Sequence, residues 1–463
     1  MPKDYKKSIF IFRRDLRIVD NLGLLKASKL SETVIPIFIL TPEQLKKNPY
    51  KSDNCVQFMM ETLEELDQSL KKSKSKLFYF YGTPSTVLKK ILNKDTDIEA
   101  VYVNYDVTPY SKKRDESMKK VCDSLDVEFV SNDDLLLNPV GSITTSGDKD
   151  VYQKFTPYYN KAKSKTIAKP DTTKIKNFAG SSTKIVGQYT KSLTSFYKKN
   201  PKNLEKGGRK AGLEILKDIK EFKDYDKKRD CFDYQTTHLS GYLKFGCVSI
   251  REAYHAIKSK LGARSGLLRQ LYWRDFYHNI TWGFPHVIGG PMKKEYKPKW
   301  DTNATLFNKW KQGKTGFPIV DANMRAMNET GFMHNRGRMI VSSFLVKIML
   351  MDWKKGEKYF AQTLYDYDVS NNNGGWQWSA STGADSQPYF RIFNPWLQSE
   401  KYDKEAKFIK KWIPELNDIP AKHLHKWDKF WKEHPEIKSK YPQPVVDYAK
   451  NKEESIRRYK KLT

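Results

Sequence analysis

The sequence predicts an α/β domain built on a parallel sheet, followed by an all-helical domain. Three observations predict it. The first third alternates short runs rich in Ile, Val, Phe and Tyr with amphipathic stretches; periodicity then fades; and beyond residue 206 apolar residues recur at three- and four-residue steps. The strand-like runs are 8–12, 34–40, 76–81, 100–105 and 127–130, each bounded by polar or Gly/Pro signals. Between them, 55–70 has helical spacing. Residues 140–205, dominated by Ser, Thr, Lys and Pro, read as a long connector. Helices are predicted over 243–257, 267–280, 303–310, 320–328 and 337–352. The expected division is therefore 1–138, a linker over 139–205, and 206–463.

Composition narrows the class. At 463 residues the chain has room for about two or three domains with sizeable cores. Its 27 Tyr, 24 Phe and 11 Trp exclude a disordered chain. No apolar run approaches the ~18 residues of a membrane helix, and the start breaks at two arginines before a signal core forms. A soluble intracellular protein, cytoplasmic or nuclear, is expected. Cys55, Cys122, Cys231 and Cys247 lack CxxC spacing, so neither a disulfide framework nor a metal site is expected. Lys plus Arg exceeds Asp plus Glu by 84 − 54 = 30, a charge that steers polyanions toward the surface. A lysine-biased composition explains the same number, so charge alone leaves nucleic-acid binding open. The tryptophans concentrate in the C-terminal half, where core packing alone would not need them.

Phe12 is followed by Arg13-Arg14-Asp15-Leu16-Arg17 rather than a Gly-rich fingerprint, which argues against a nicotinamide site there. The densest segment is 366–378, where Asp366, Asp368, three asparagines, two glycines, Trp376 and Trp378 interrupt the helical pattern. It reads as a capped turn, or as groups that hold the edges and face of a heteroaromatic ring. The hydroxyls of Thr236, Thr237 and Ser240 read as a helix N-cap or as phosphate ligands. Gln270 with Trp273, and Asn335 with Met339, share helix faces, whereas Arg336 and Arg338 point apart. The pair reads as one contact to an external phosphate and one arginine held by an internal acid, or Asn335 and Arg338 read as ordinary surface residues.

These segments resemble the photolyase/cryptochrome flavoproteins, most closely the class I cyclobutane pyrimidine dimer photolyases. FIFRRDLRIVDN, GKTGFPIVDANMRAMNETGFMHNRGRMIVSSFLVK, NNNGGWQWSASTGADSQPYFRIFNP and YPQPVV match in order and spacing over nearly the whole chain. The resemblance implies a Rossmann-like N-terminal antenna domain and a helical C-terminal domain that binds FAD. By position, Tyr225, Thr236, Thr237, Leu239 and Ser240 line the flavin's phosphate and ribityl side, and Arg274, Arg338, Asp366, Asp368 and Asn372 surround the ring and adenine region. Asn372 falls on the residue facing flavin N5. Trp376, Trp353 and Trp300 match the electron-transfer triad, Trp273 and Trp378 the aromatic walls around a flipped lesion, and Arg336 a contact to its phosphate. The implied reaction is light-driven electron transfer from reduced FAD to a pyrimidine dimer in UV-damaged DNA, with electron return after the ring splits.

The lesion turns on three positions. Six-four photolyases place histidines where this chain has Asn335 and Met339, neither of which acts as a general acid near neutral pH. Gln270 dissents, standing where class I enzymes usually have Glu. Asp275 for the usual Glu, and His238 among the hydroxyls, are smaller departures. Cyclobutane dimer repair is the expectation, with six-four repair and a cryptochrome-type photoreceptor as alternatives. An antenna of folate or deazaflavin type is implied without its identity. No metal and no obligate protein partner are expected, and the enzyme is expected to be a monomer.

Overall fold

In the computed structural model, residues 3–46, 48–145, 150–293, 298–434, 436–437 and 440–462 are described. All five expected strands form: β1 (Tyr5–Phe12), β2 (Ser31–Leu40), β3 (Phe78–Tyr81), β4 (Ile98–Asn104) and β5 (Glu128–Asn132). They make one parallel sheet in the order β3-β2-β1-β4-β5, with Ile9 opposite Ile35 on one side and Val101 on the other. Ile9, Ile11, Ile35, Ile37, Val101 and Val103 alternate into one buried layer, while Phe10, Phe12 and Tyr102 are buried on the opposite face. Burial on both faces explains why these strands read as continuous apolar runs. Helices Leu22–Leu30, Asp53–Lys71, Pro84–Leu92 and Pro109–Asp123 alternate with the strands.

The chain falls into two compact units whose limits differ from the expected boundaries at 138 and 205. The first comprises Met1–Lys199, Glu205–Glu221 and His238–Pro285; the second Asn200–Leu204, Phe222–Thr237 and His286–Thr463. Two physical features of the first unit account for the difference. The connector is bonded to the sheet, because β3 is too short to cover the edge of β2. Val34 donates to the Asn177 carbonyl and accepts from Ala179, both at 2.8 Å, and Tyr189 N–H donates to the Tyr79 carbonyl at 2.7 Å. Open edges are closed in this way. The opening motif supplies the second feature. Arg17 pairs with Asp134, and Arg251 reaches both Asp134 (2.5 Å) and Asp20 (2.9 Å), with all four side chains at most 7% exposed. This network ties helix Ile250–Leu261 to the loop after β1.

The second unit is helical around a core that includes Trp310, Phe317, Phe344, Leu345, Phe360, Trp376 and Trp427. Helix Pro318–Thr330 begins at a proline and ends at Gly331 with φ +66°, a left-handed stop that favours glycine. The 337–352 periodicity resolves into helix Asn335–Ser343 and a π-helical turn, Phe344–Ile348, before a new helix, Trp353–Thr363. On the π turn Lys347 is buried, its Nζ donating to Ser381 Oγ at 2.9 Å over the Tyr459 ring, and desolvation lowers its pKa well below the usual lysine value. No described helix is long and apolar enough to cross a membrane.

Candidate functional site

Segment 366–378, expected to interrupt the helices, is itself helical over Val369–Ala380 despite Gly374 and Gly375. The cap carries it. Asp368 is extended and its Oδ1 accepts from both the Asn371 backbone N–H (3.0 Å) and Asn371 Nδ2 (2.8 Å). Such a cap contributes about 1 kcal/mol, offsetting roughly one of the two glycines. The far end is anchored too: Asn373 Nδ2 and Gln377 Nε2 both donate to the Val287 carbonyl, and Gln377 Oε1 accepts from Met292 N–H at 2.9 Å.

Several acids and amides of this segment bond to the protein around them. Asp366, almost fully buried, receives both bonds of Arg338 Nη2 at 2.8 and 3.0 Å, while Arg338 Nε donates to the Met333 carbonyl. Asn372 differs from its neighbours. Its Nδ2 donates to the Glu357 carbonyl at 3.0 Å, which orients Oδ1 as an acceptor. On the same helix the indole N–H of Trp376 and the hydroxyl of Ser370 are buried without a hydrogen-bond partner. Buried polar atoms are normally satisfied, so these fit a helix that receives a polar ligand. Tyr225, half-buried at the start of a one-turn helix, has its phenol pushed up to about 12 by burial.

Trp376, Trp353 and Trp300 all belong to the second unit. Trp376 and Trp353 are each 2% exposed, and Trp300 packs partly buried against the same core. Trp353 opens its helix behind Asp352, whose side chain accepts from Lys354 N–H. Just before it, Asp301 N–H donates to the Leu350 carbonyl at 2.7 Å, drawing the Trp300 strand alongside. Trp376 also contacts Phe360 (4.9 Å between ring centres) and Trp310 (6.1 Å), a buried tryptophan that sequence reasoning passed over.

Helix Asn335–Ser343 begins at His334, whose Nδ1 accepts from the Arg336 N–H. Asn335 and Met339 meet as expected, with Nδ2 3.6 Å from the thioether sulfur. Arg336, expected at an external phosphate, is itself ion-paired. It pairs with Asp230 at 2.6 Å and lies 4.5 Å from the Tyr402 ring centre, so both arginines of this helix hold acids. Of the two, Arg338 is the more exposed, 28% against 12%. Trp378, half-buried, has Phe393 tilted against it at 6.4 Å.

Gln270, Trp273, Arg274, Asp275, His238, Leu239 and Ser240 lie in the first unit, and Thr236 and Thr237 in the second. Gln270 donates Nε2 to the Gly266 carbonyl one turn back, leaving Oε1 as its acceptor. Arg274 donates to the Leu135 carbonyl at 2.9 Å and to Asp275 at 3.3 Å. Asp275 is fully buried and also accepts from Leu137 N–H; burial pushes its carboxyl up to about 7. Trp273 is stacked on Phe155, 3.7 Å away and within 6° of parallel. Helix Ser240–Lys244 is entered through Leu239, which makes no side-chain cap. His238 adopts φ +51° and pairs with Glu205 at 2.8 Å. Among the described residues no group of His, Cys, Asp and Glu is arranged to hold a metal ion.

Residues 8–176 match the DNA photolyase family, and 267–461 match the FAD binding domain of DNA photolyase. The chain is 34% identical to the deoxyribodipyrimidine photo-lyase of Synechococcus sp., across 95% of this chain and 93% of that protein. Its structure resembles the archaeal photolyase of Sulfolobus tokodaii, described with two FAD molecules, at TM-score 0.88 and 41% identity over 98% of this chain and all of the other. It also resembles a Synechocystis cryptochrome at TM-score 0.89 and 27% identity, over 99% of this chain and all of that one. With both halves matched in order and relatives aligned end to end, this chain belongs to the DNA photolyase family, with an FAD-binding C-terminal region.

Proposed function

We propose that this protein is a deoxyribodipyrimidine photolyase that splits cyclobutane pyrimidine dimers in UV-damaged DNA under blue light. The observation that carries the choice of lesion is the Asn335–Met339 pair. An amide nitrogen 3.6 Å from a thioether makes a surface with no proton to give at neutral pH. Six-four lesions need one. His334 caps the helix through Nδ1, and by motif position it precedes the residue that serves as the acid in six-four enzymes.

Bound FAD supplies light absorption and the electron; the chain supplies position, polarity and dryness. Asn372 offers Oδ1 at the flavin ring, held in orientation by the Glu357 carbonyl. Asp366 and Arg338 neutralise each other, so the ring meets dipoles rather than a bare buried charge. Tyr225, Thr236, Thr237, Leu239, Ser240, Arg274 and Asp368 are assigned to the cofactor by motif position. Gln270 presents Oε1 to a pyrimidine imide N–H, and Trp273 and Trp378 stack on the flipped bases. Trp376, Trp353 and Trp300 pass an electron hole outward when the flavin is photoreduced. The net charge of +30 draws in the DNA backbone. The enzyme works as a monomer in whichever compartment, cytoplasm or nucleus, holds the DNA. A second chromophore of folate, deazaflavin or flavin type serves the N-terminal domain.

The test is repair of two defined oligonucleotides, one with a cyclobutane thymine dimer and one with a six-four lesion, by fully reduced enzyme in blue light with dark controls. Restored thymines from the first alone support the reading. Repair of the second alone overturns it in favour of the information in Gln270. Photoreduction of the flavin without repair of either makes the chain a light sensor.

A further inference from the structure

We propose that Phe155 is a positioning residue for lesion recognition: it fixes the plane of Trp273 so that a flipped base meets a ready-made stacking face. The inference rests on the reading that Trp273 stacks on the lesion. It begins with helix Phe155–Ala162, which arises from the connector and was not singled out by any motif. Lys154 at its head makes no side-chain cap, and Phe155 is 1% exposed, so the ring itself anchors the helix.

The surroundings of Trp273 are built from rings on two elements of the first unit. Phe155 lies parallel to the indole at 3.7 Å. Phe276 meets both edgewise, at 5.7 Å from Trp273 and 5.8 Å from Phe155. Tyr159, one turn along from Phe155, is stacked on it at 5.6 Å and 16°. The Arg269 guanidinium, one turn before Trp273 on helix Gly266–Gly283, sits 5.1 Å from the Phe155 ring and 5.2 Å from Tyr159. The terminal torsion of a Trp side chain is broad, and a half-buried indole left alone would tilt. Tyr277, one turn on along the same helix, is tilted against the indole at 5.7 Å and 31°. With one face covered in parallel and further rings beside it, Trp273 is held in one orientation. A base stacking there need not first order the indole, which is the usual route by which preorganisation raises affinity. Undamaged DNA keeps its bases in the duplex and makes no such contact, so Phe155 should govern discrimination rather than overall affinity.

The experiment measures dark binding of the FAD-loaded enzyme to an oligonucleotide with one cyclobutane thymine dimer and to its undamaged counterpart. Phe155→Met conserves volume and core filling but replaces the flat ring with a flexible chain; Phe155→Tyr keeps the ring. We expect Phe155→Met to weaken dimer binding about 5-fold, the lower end of a base–aromatic stack, with undamaged DNA bound as before and Phe155→Tyr close to wild type. Unchanged dimer binding by Phe155→Met, or equal losses on both DNAs, overturns the proposal. If Phe155→Met does not fold, Phe155→Tyr must still show wild-type discrimination, and a loss there overturns it equally. Trp273→Ala separates the two readings: no loss of dimer binding in that variant removes the stacking role itself, whereas a loss of 10-fold or more with Phe155→Met unaffected removes only the role of Phe155.

Discussion

Gly356→Ala sets two effects of opposite sign against each other at the innermost tryptophan. Gly356 lies inside helix Trp353–Thr363, where alanine is intrinsically favoured by about 1 kcal/mol. The space argues the other way. A Cβ at this position falls within the van der Waals shells of Trp376 Cη2 and Cζ3 and 2.7 Å from Leu345 Cδ2. Ordinary carbon contacts need about 3.5–4.0 Å, so the indole must shift by about 1.5 Å. It has nowhere to go, being 2% exposed with Phe360 and Trp310 against it. Overpacking of a filled core costs about 1–3 kcal/mol, and a rigid ring puts this site at the upper end, which leaves a net loss of about 1–2 kcal/mol. For a unit of this size that is a fall in Tm of about 2–8 °C. Light-driven flavin reduction should slow along with it, because the same shift moves Trp376. Scanning calorimetry and photoreduction kinetics on the FAD-loaded protein read the two consequences. A variant equal to or more stable than wild type would mean propensity decides, and the close approach of this helix to Trp376 would be wrong.

Three further outcomes follow from the same structure. Arg251→Met leaves the buried Asp20 carboxylate without its cation and Asp134 with Arg17 alone, and should cost about 3–5 kcal/mol in urea unfolding; a loss below 1 kcal/mol would mean the network is solvated. Asp275 titrates near 7 in the folded state against roughly 3.9 unfolded, so its contribution is full below about pH 4 and is lost as pH rises toward 7. Asp275→Asn should therefore gain on wild type across that window, by up to about 1.4 kcal/mol per pH unit, and a pH-independent difference would refute the assignment. Trp353→Phe should abolish efficient photoreduction, whereas Trp310→Phe should not, since Trp310 is fully buried with its N–H bonded to the Val341 carbonyl and stands outside the three motif positions; equal effects would reject the triad.

What was legible in the sequence is what neighbours in sequence decide. The three central strands show because burial on both faces makes each an apolar run, the edge strands β3 and β5 because aromatic and β-branched residues mark them, and helix Gly266–Gly283 because its period is its own. The domain limits did not, because they depend on partners far away along the chain. Arg17 and Asp20 look like part of a loop motif until Asp134 and Arg251 are beside them. The connector looks loose until Asn177 and Tyr189 are seen closing the sheet edges that a four-residue β3 leaves open. Segment 366–378 misled for a related reason: two glycines suggest a turn, yet one cap and two amide anchors keep it helical.

At the site the same division separates residue type from residue task. Spacing alone put Asn335 and Met339 on one face, and they touch. Spacing also said that Arg336 and Arg338 diverge, but not that each would meet an acid, since Asp230 and Asp366 come from different segments. A paired, ring-covered Arg336 is a poor first contact for a phosphate, because binding one must compete with a 2.6 Å ion pair already in place. Arg269 stands in contrast: exposed, with only ring faces beneath its guanidinium, it keeps its donors for an external oxygen. The two make opposite predictions for salt dependence. Arg269→Gln should reduce the slope of log K against log salt by about one on damaged and undamaged DNA alike, while Arg336→Gln should leave the slope unchanged and act through stability. The reverse result would restore Arg336 to the phosphate and leave Arg269 as a ring cap.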